Sequence, residues 1–184
     1  MSQKQAHVRR GEIIVHDYDS QIENIEKMID EELSENNRKL VHEYHKEMVR
    51  TSLGKATRTK HLATVLSLSR MLGKDWQAVT KADIDELVYL IMSQYSPKGQ
   101  ETHSTRDHKK ILKIFFRWIR RGSRQSRRVG DPDETKHIGL NPIRSKIVRE
   151  QLITEDDLAR LLKACIGNPR DKAMIYVHYE QVNI

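Results

Sequence analysis

The sequence predicts an all-α protein in which four helices form the main domain, followed by a linker and a short helical segment. Apolar residues recur at intervals of three and four through most of the chain. Alternation of apolar and polar residues, which would predict strands, is weak. Glycine, proline and helix-capping residues separate the periodic segments, so they also predict where the helices begin and end.

Four parts can be distinguished along the chain. Residues 1–19 are mostly polar, which predicts an extended or disordered arm. Residues 20–121 carry the helical periodicity and are expected to form the main domain. Residues 122–151 contain three glycines and two prolines with little periodicity, so we predict an exposed linker there. Residues 152–184 open with another helix-start signal and form the short helical segment.

Start and stop signals place the four helices of the main domain. The first begins at Ser20 and continues to about Val49, with Asn36-Asn37 as a candidate interruption. The others run from about Thr57 to a stop at Gly73, from a capping box at Thr80-Lys-Ala-Asp83 to Ser96-Pro97, and from about Ser104 to Arg121.

Composition excludes several classes of protein. The chain has 184 residues, a formal net charge of +7 and one cysteine, so it has no internal disulfide framework and fits a reducing compartment. No apolar run approaches the roughly 18 residues of a membrane span, and the N-terminal segment lacks the apolar region of a secretory signal. We therefore expect a cytoplasmic protein with no membrane partner.

The positive charge is concentrated in the middle of the chain. Residues 51–130 hold 17 basic and 6 acidic residues, whereas both flanking parts carry a small negative balance. A basic module between nearly neutral or acidic ends predicts a polyanionic partner.

The fourth predicted helix carries the strongest functional signal. At about 100° per residue, its basic residues fall in one stripe roughly 120° wide that contains no acid. They are Arg106, Lys109, Lys110, Lys113, Arg117, Arg120 and Arg121. Such a cationic face predicts contacts with nucleic-acid phosphates. A solvated face without a ligand is the alternative, although such faces usually mix charge signs.

Smaller polar and basic clusters lie at the starts of two helices. The second predicted helix opens with Lys55, Thr57, Arg58, Lys60 and His61, and the fourth opens with Ser104 and Thr105 before Arg106. Hydroxyls and backbone N–H groups at a helix start suit a phosphate, and basic side chains can reach base edges. Ordinary capping of the helices by these hydroxyls is the alternative.

Other kinds of site have little support in the sequence. His42 and His45 are spaced to share a metal ion, but no cysteine or carboxylate completes a ligand set. Cys165 falls on the apolar stripe of its helix and is expected in the core. Nucleotide-binding and hydrolase motifs are missing. We therefore expect no metal, no cofactor and no small-molecule substrate.

A series of short segments supports a more specific hypothesis. They are Asn37-Arg-Lys-Leu-Val-His-Glu-Tyr44, Leu53-Gly-Lys-Ala-Thr57, Arg70-Met-Leu-Gly-Lys74, Thr80-Lys-Ala-Asp-Ile84, Ser104 to Trp118, Leu152-Ile-Thr-Glu-Asp-Asp-Leu158 and Arg170-Asp-Lys-Ala-Met-Ile175. In this order they resemble the tyrosine recombinases, or phage-type integrases, and especially the archaeal members. The resemblance covers about residues 36–180.

The resemblance implies a SAM-like core-binding domain that clamps duplex DNA, followed by the start of a catalytic domain. The second and fourth helices of such a domain approach the major groove, and these are the two helices whose charges stand out here. The implied role is DNA integration or recombination, which adds nucleoid association to the expected location. The implied partners are double-stranded DNA and either an intact recombinase or a second copy of the chain.

The resemblance also implies that this chain is not an enzyme. In the family, the segment like Ile175 to Glu180 precedes a glycine and the first catalytic arginine, but here the chain continues only to Ile184. The family's later lysine, His-x-x-Arg element and nucleophilic tyrosine have no counterpart. Two alternatives are a fragment of an active recombinase whose catalytic half is missing and a helical protein–protein adaptor.

Overall fold

A computed structural model describes residues 17–96, 98–141, 154–165 and 167–182, and over these residues it contains helices and no strand. The helices are α1 (Tyr18–Glu32), α2 (Glu35–Arg50), α3 (Lys55–Leu72), α4 (Lys81–Tyr95), α5 (His103–Arg121), α6 (Ser126–Val129), α7 (Glu155–Ala164) and α8 (Pro169–Val182). The predicted all-α class is confirmed. Helix α1 begins before Ser20, and the rest of the predicted arm lies outside the described residues.

The chain divides into two compact units, Met1–Ile143 and Arg144–Ile184. The described part of the first unit contains α1 to α6, and that of the second contains α7 and α8. None of the described helices is long and apolar enough to cross a membrane.

Ion pairs at both ends hold α1 and α3 side by side in the same direction. Lys55 Nζ lies 2.6 Å from Asp19 Oδ2 near the starts of the two helices, and Arg70 Nε lies 2.5 Å from Glu32 Oε2 near their ends. These pairs are exposed, so each contributes little stability. The packing of apolar side chains between the helices contributes more.

The first predicted helix is two helices in the structure, so residues 18–121 form five long helices instead of four. The break falls at Leu33-Ser34, because the Ser34 hydroxyl caps α2 by accepting the Asn37 N–H. Asn37 itself is buried and donates its side-chain amide to the Lys74 carbonyl at 3.0 Å. Its side-chain oxygen also accepts the Trp76 N–H at 3.0 Å. Asn37 therefore ties α2 to the turn after α3.

Aromatic rings fill the centre of the first unit. Trp76, Tyr44, Phe115 and Phe116 are fully buried. The Phe115 ring meets Trp76 edge-on at 5.1 Å and Tyr44 at 4.9 Å, measured between ring centroids. Burial of one such side chain contributes about 1.5–3 kcal/mol. Helix α5 supplies two of these rings, so its position in the fold is fixed by its apolar side.

Several predicted helix boundaries are confirmed. Thr80 and Asp83 form the capping box at the start of α4, and hydrogen bonds from Lys74 and Thr80 lower the pKa of Asp83 to about 2. Gly73 ends α3 and Gly122 ends α5, both in the left-handed conformation, with φ of 64° and 67°. Only glycine adopts that conformation at little cost.

The segment after α5 packs onto the helices of the first unit. Pro132, Thr135 and Ile138 are buried, and Ile138 belongs to the hydrophobic core. The prediction of an exposed linker over 122–151 is therefore wrong for residues 122–141. The remaining residues, 142–151, lie outside those described. Ile138 lies in a stretch rich in glycine and charged residues, where the apolar residues follow no helical or strand periodicity. The sequence alone therefore could not predict this packing.

The described part of the second unit has no buried side chain. Thr154 and Asp157 form the predicted capping box of α7. Leu161 on α7 and Tyr176 on α8 are exposed, and Cys165 is only half-buried. The expectation that Cys165 lies in a core is therefore wrong within the described residues.

Candidate nucleic-acid interface

The cationic stripe of α5 is divided by its surroundings into a covered part and an open part. Four of its seven members are paired with acidic groups that come from outside the helix. These four are Lys109, Lys113, Arg117 and Arg120. The prediction that the whole stripe is an exposed face is therefore wrong.

Lys109 is buried together with its acidic partner. Its Nζ lies 2.9 Å from Glu101 Oε2, and both side chains are less than 10 % exposed. Thr105, which is fully buried, donates its hydroxyl to the other oxygen of Glu101 at 2.9 Å. Thr105 also completes the capping box of α5 with Thr102. These contacts make Lys109 and Thr105 structural residues and not phosphate ligands.

Lys113 and Arg117 share the carboxylate of Asp131. Lys113 Nζ lies 3.0 Å from Asp131 Oδ2, and Arg117 Nε donates to Asp131 Oδ1 at 2.8 Å. Partial burial raises the pKa of Asp131, but the hydrogen bonds from Arg117 and Lys113 outweigh it and lower the pKa overall. Lys113 also donates to the Ile138 carbonyl at 3.1 Å. These cations therefore hold the segment after α5 in place.

Arg120 connects α5 to the turn between α3 and α4. Its guanidinium donates to the carbonyls of Val79 at 2.6 Å and Gln77 at 3.1 Å, and its Nε lies 3.3 Å from Glu134 Oε1. Its Cζ is also 4.9 Å from the centre of the Phe116 ring. The Arg120 guanidinium is therefore hydrogen-bonded and paired with an acid within the fold.

Arg106, Lys110 and Arg121 form the open part of the stripe. All three are exposed, and no carboxylate among the residues described forms an ion pair with them. Arg106 and Lys110 lie one turn apart at the start of α5, so they point in similar directions. Ser104, also exposed, lies at the same end of the helix.

The start of α3 lies beside the start of α5. Lys60 Nζ is 2.5 Å from Asp107 Oδ2, which joins the two helices. Thr57 is exposed, and α3 begins without a side-chain cap. Arg58 points toward α2, where its Nη1 lies 3.3 Å from His45 Nε2. Of the predicted residues here, Lys55, Thr57 and Lys60 are exposed. Lys60 reaches α5 through Asp107, while Lys55 pairs with Asp19 of α1.

His61 is a core residue and not an exposed DNA contact. It is 6 % exposed, and its Nδ1 shares a 2.8 Å hydrogen bond with the Tyr44 hydroxyl. Burial, with the positive charges of Arg124, Lys110 and Lys60, lowers the pKa of His61 to about 4. The predicted role of His61 is therefore corrected. The charges that act on His61 thus come from α3, α5 and the following segment.

Arg124 is a candidate functional residue that the predicted site did not include. It lies after Gly122, in the segment interpreted as a linker, so helical periodicity could not place it. Its Cζ lies 5.6 Å from the centre of the Tyr44 ring, and its Nη1 is 3.3 Å from the Thr51 hydroxyl. A run of arginines that continues past the glycine stop was the one sequence signal for it.

The two histidines considered for a metal site connect α1 to α2. His42 Nε2 lies 2.8 Å from Asp30 Oδ1, and His45 Nδ1 lies 2.7 Å from Glu26 Oε1. In the described ranges, no group of three or more histidine, cysteine, aspartate or glutamate residues is arranged to hold a metal ion.

No protein-family model, curated protein or solved structure matches the chain. The resemblance to tyrosine recombinases therefore stays a hypothesis that rests on the sequence segments alone. The charged surface described above is the basis for a functional proposal.

Proposed function

We propose that the first unit binds duplex DNA through the surface where α3 and α5 begin, and that it does so without cleaving the DNA. The observation that carries the proposal is the exposure of Arg106 and Lys110 on successive turns of α5, where no described carboxylate pairs with them. Lys60 of α3 lies beside them through its pair with Asp107.

The contrast with the covered cations supports this proposal. Lys109, Lys113, Arg117 and Arg120 each have an acidic partner within the fold, whereas Arg106 and Lys110 have none in the part that the structure describes. Arg121 forms no ion pair in that part either, although its charge acts on the exposed carboxylate of Asp133. Unpaired surface cations keep their full attraction for polyanions. Each one that meets a phosphate releases condensed counterions, which is the main source of non-specific DNA affinity.

The proposed biological role is DNA integration or recombination, as the resemblance to tyrosine recombinases implies. In such a role the chain occupies DNA sites, alone or beside an intact recombinase. The segments that resemble the family's core-binding domain include the starts of α3 and α5. Two of the three open cations, Arg106 and Lys110, lie at the second of these helix starts, which supports the same surface independently of the resemblance.

Protein binding by the second unit is a second candidate function, and exposed apolar side chains favour it. Leu161, Met174, Tyr176 and Val177 are each 41–53 % exposed on α7 and α8. Sedimentation equilibrium of the full chain tests self-association through them. Leu161→Glu should shift a dimer to monomer, whereas a monomeric wild-type protein would leave self-association without support.

Fluorescence anisotropy with a labelled 20-base-pair duplex tests the DNA-binding proposal. We expect Arg106→Gln/Lys110→Gln to weaken binding about tenfold or more near 0.1 M salt, because two phosphate contacts are lost. Lys27→Gln/Lys39→Gln removes the same charge from exposed positions on α1 and α2, which pair with Glu31 and Glu35. Equal weakening by both double variants would show that only net charge matters and would contradict the proposed surface.

A further inference from the structure

Among the described residues, Arg124 is half-buried without an acidic partner. Its Nε is inaccessible to solvent and has no hydrogen-bond partner there, and its Nη1 makes one long contact, 3.3 Å, with the Thr51 hydroxyl. Asp131, which pairs with the same Arg117 that bonds to the Arg124 carbonyl, is already held by Arg117 and Lys113. An unpaired N–H group in such a place is unfavourable, because no hydrogen bond replaces its lost hydration. The free protein therefore holds Arg124 at an energetic cost.

The fold determines where Arg124 lies. Its backbone carbonyl accepts a hydrogen bond from Arg117 Nη1 at 2.6 Å, directly after the turn at Gly122. Its guanidinium lies over the face of the Tyr44 ring at 5.6 Å. The backbone is thus anchored, while the guanidinium contacts the Tyr44 side chain through its ring and its hydroxyl and pairs with no carboxylate among the described residues.

Other positive charges act at the same position. Tyr44 bonds to His61, and the charges of Arg124, Lys110 and Lys60 all act on His61. Among the described residues, a carboxylate pairs with Lys60, that of Asp107, and none pairs with Arg124 or Lys110. The surroundings of His61 therefore carry an excess of positive charge, which a bound anion would neutralise.

We propose that Arg124, with Lys110, binds a phosphate group over the Tyr44–His61 pair. An incoming phosphate draws the guanidinium off the Tyr44 ring, so that Nε and an Nη atom donate to two phosphate oxygens. The identification of the phosphate as one of duplex DNA rests on the function proposed above. Free inorganic phosphate has the same chemistry and is the other source.

The Nε–Hε signals of the arginines in ¹H–¹⁵N NMR spectra test this site in the wild-type chain. Inorganic phosphate is titrated against chloride at constant ionic strength, and the Arg124 signal is assigned by its loss in Arg124→Lys. We expect a saturable shift of the Arg124 signal with phosphate and none with chloride. The pKa of His61 should rise above about 4 as the anion offsets the surrounding charge.

Arg58 provides a matched control, since its Nε is also buried without a partner. Its Nη1 instead faces His45, whose other ring nitrogen bonds to Glu26, so that acid opposes an incoming anion. The Arg58 signal should not move. No saturable shift at Arg124, or an equal shift at Arg58, would overturn the proposed site.

Duplex binding by Arg124→Gln separates this inference from the proposed function. Arg50→Gln is the control, because Arg50 is exposed and pairs with Glu47. We expect Arg124→Gln to weaken duplex binding at least fivefold relative to Arg50→Gln. If both bind equally and the phosphate shift is missing, the site is wrong while DNA binding stands. If Arg124 takes phosphate but the wild-type chain does not bind DNA, the site stands with free phosphate and the proposed function fails.

Discussion

Arg117 in the last two turns of α5 and Asp131 in the segment after it form an ion pair in which Nε lies 2.8 Å from Oδ1. Arg117 is 6 % exposed, so its charge is directed into the fold. The pair joins the most basic helix of the chain to a segment without regular periodicity. Because Asp131 neutralises it, Arg117 is not among the cations of α5 that remain open to a ligand.

Asp131→Ala should destabilise the protein by about 2–4 kcal/mol, because it leaves Arg117 buried without its partner. Urea unfolding followed by circular dichroism measures this loss. Asp133→Ala is the matched control, since Asp133 is exposed and forms an exposed ion pair with Lys136 three residues away. It should change the unfolding free energy by less than about 1 kcal/mol. Equal effects of the two variants would mean that the buried pair is not formed.

Ile138→Ala should cost about 2–4 kcal/mol of unfolding free energy, because Ile138 is 6 % exposed within the hydrophobic core. Differential scanning calorimetry gives the change in stability. A residue in a mobile linker would tolerate the same substitution. A change below about 0.5 kcal/mol would restore the interpretation of 122–141 as an exposed linker.

Stability should fall as the pH is lowered from 7 to 5, in part because of His61. Its pKa in the folded state is about 4, whereas that of an unfolded histidine is about 6.5. The folded protein thus binds fewer protons than the unfolded chain across this window, and lowering the pH favours unfolding.

His61→Gln isolates this contribution when urea unfolding is repeated at pH 7 and pH 5. Between these two values the wild-type protein should lose about 2 kcal/mol more than the variant. The stabilisation is fully present above about pH 6.5 and is lost toward pH 4. Identical losses in both proteins would mean that His61 titrates normally in the folded state.

Helix boundaries were largely predictable because they depend on local chemistry. The capping box at Thr80 and the glycine stop at Gly73 act within a few residues. Asn36-Asn37 was a candidate interruption of the first helix, but the break falls earlier, at Leu33-Ser34, and Asn37 lies inside α2. In the structure it is buried and bonded to Lys74 and Trp76, which are far along the chain.

The candidate site was only partly predictable because charge pairing is not local. A helical projection of α5 shows its cations and the lack of acids within the stripe, but it cannot show acids that arrive from elsewhere. Glu101 precedes the helix, and Asp131 and Glu134 follow it. These acids pair with four of the seven basic residues of the stripe, and the other three remain exposed without an ion pair in the described part of the chain. Arg124 was missed for the same reason, since only the fold brings it to Tyr44.

The purified chain should form no covalent adduct with DNA. Tyr176 has no hydrogen-bond partner among the described residues, and a tyrosine without a neighbouring base or cation is a weak nucleophile near neutral pH. Incubation with a nicked duplex followed by denaturing electrophoresis tests this expectation. An adduct that survives SDS and disappears in Tyr176→Phe would show strand transfer by this chain.

The open part of the stripe should determine how DNA binding depends on salt. Three open cations of α5, with Arg124, predict a slope of about −3 to −4 for log affinity against log salt concentration. Lys113→Gln should leave the slope unchanged, because Lys113 is paired with Asp131.

The most direct test of the proposed DNA-binding surface is that slope in Arg106→Gln/Lys110→Gln, measured by anisotropy between about 50 and 200 mM salt. We predict that the double variant flattens the slope by about 2, one for each lost phosphate contact. The proposed DNA-binding surface would be contradicted if the double variant kept the wild-type slope. It would also be contradicted if the affinity of the wild-type protein for duplex DNA did not change with salt.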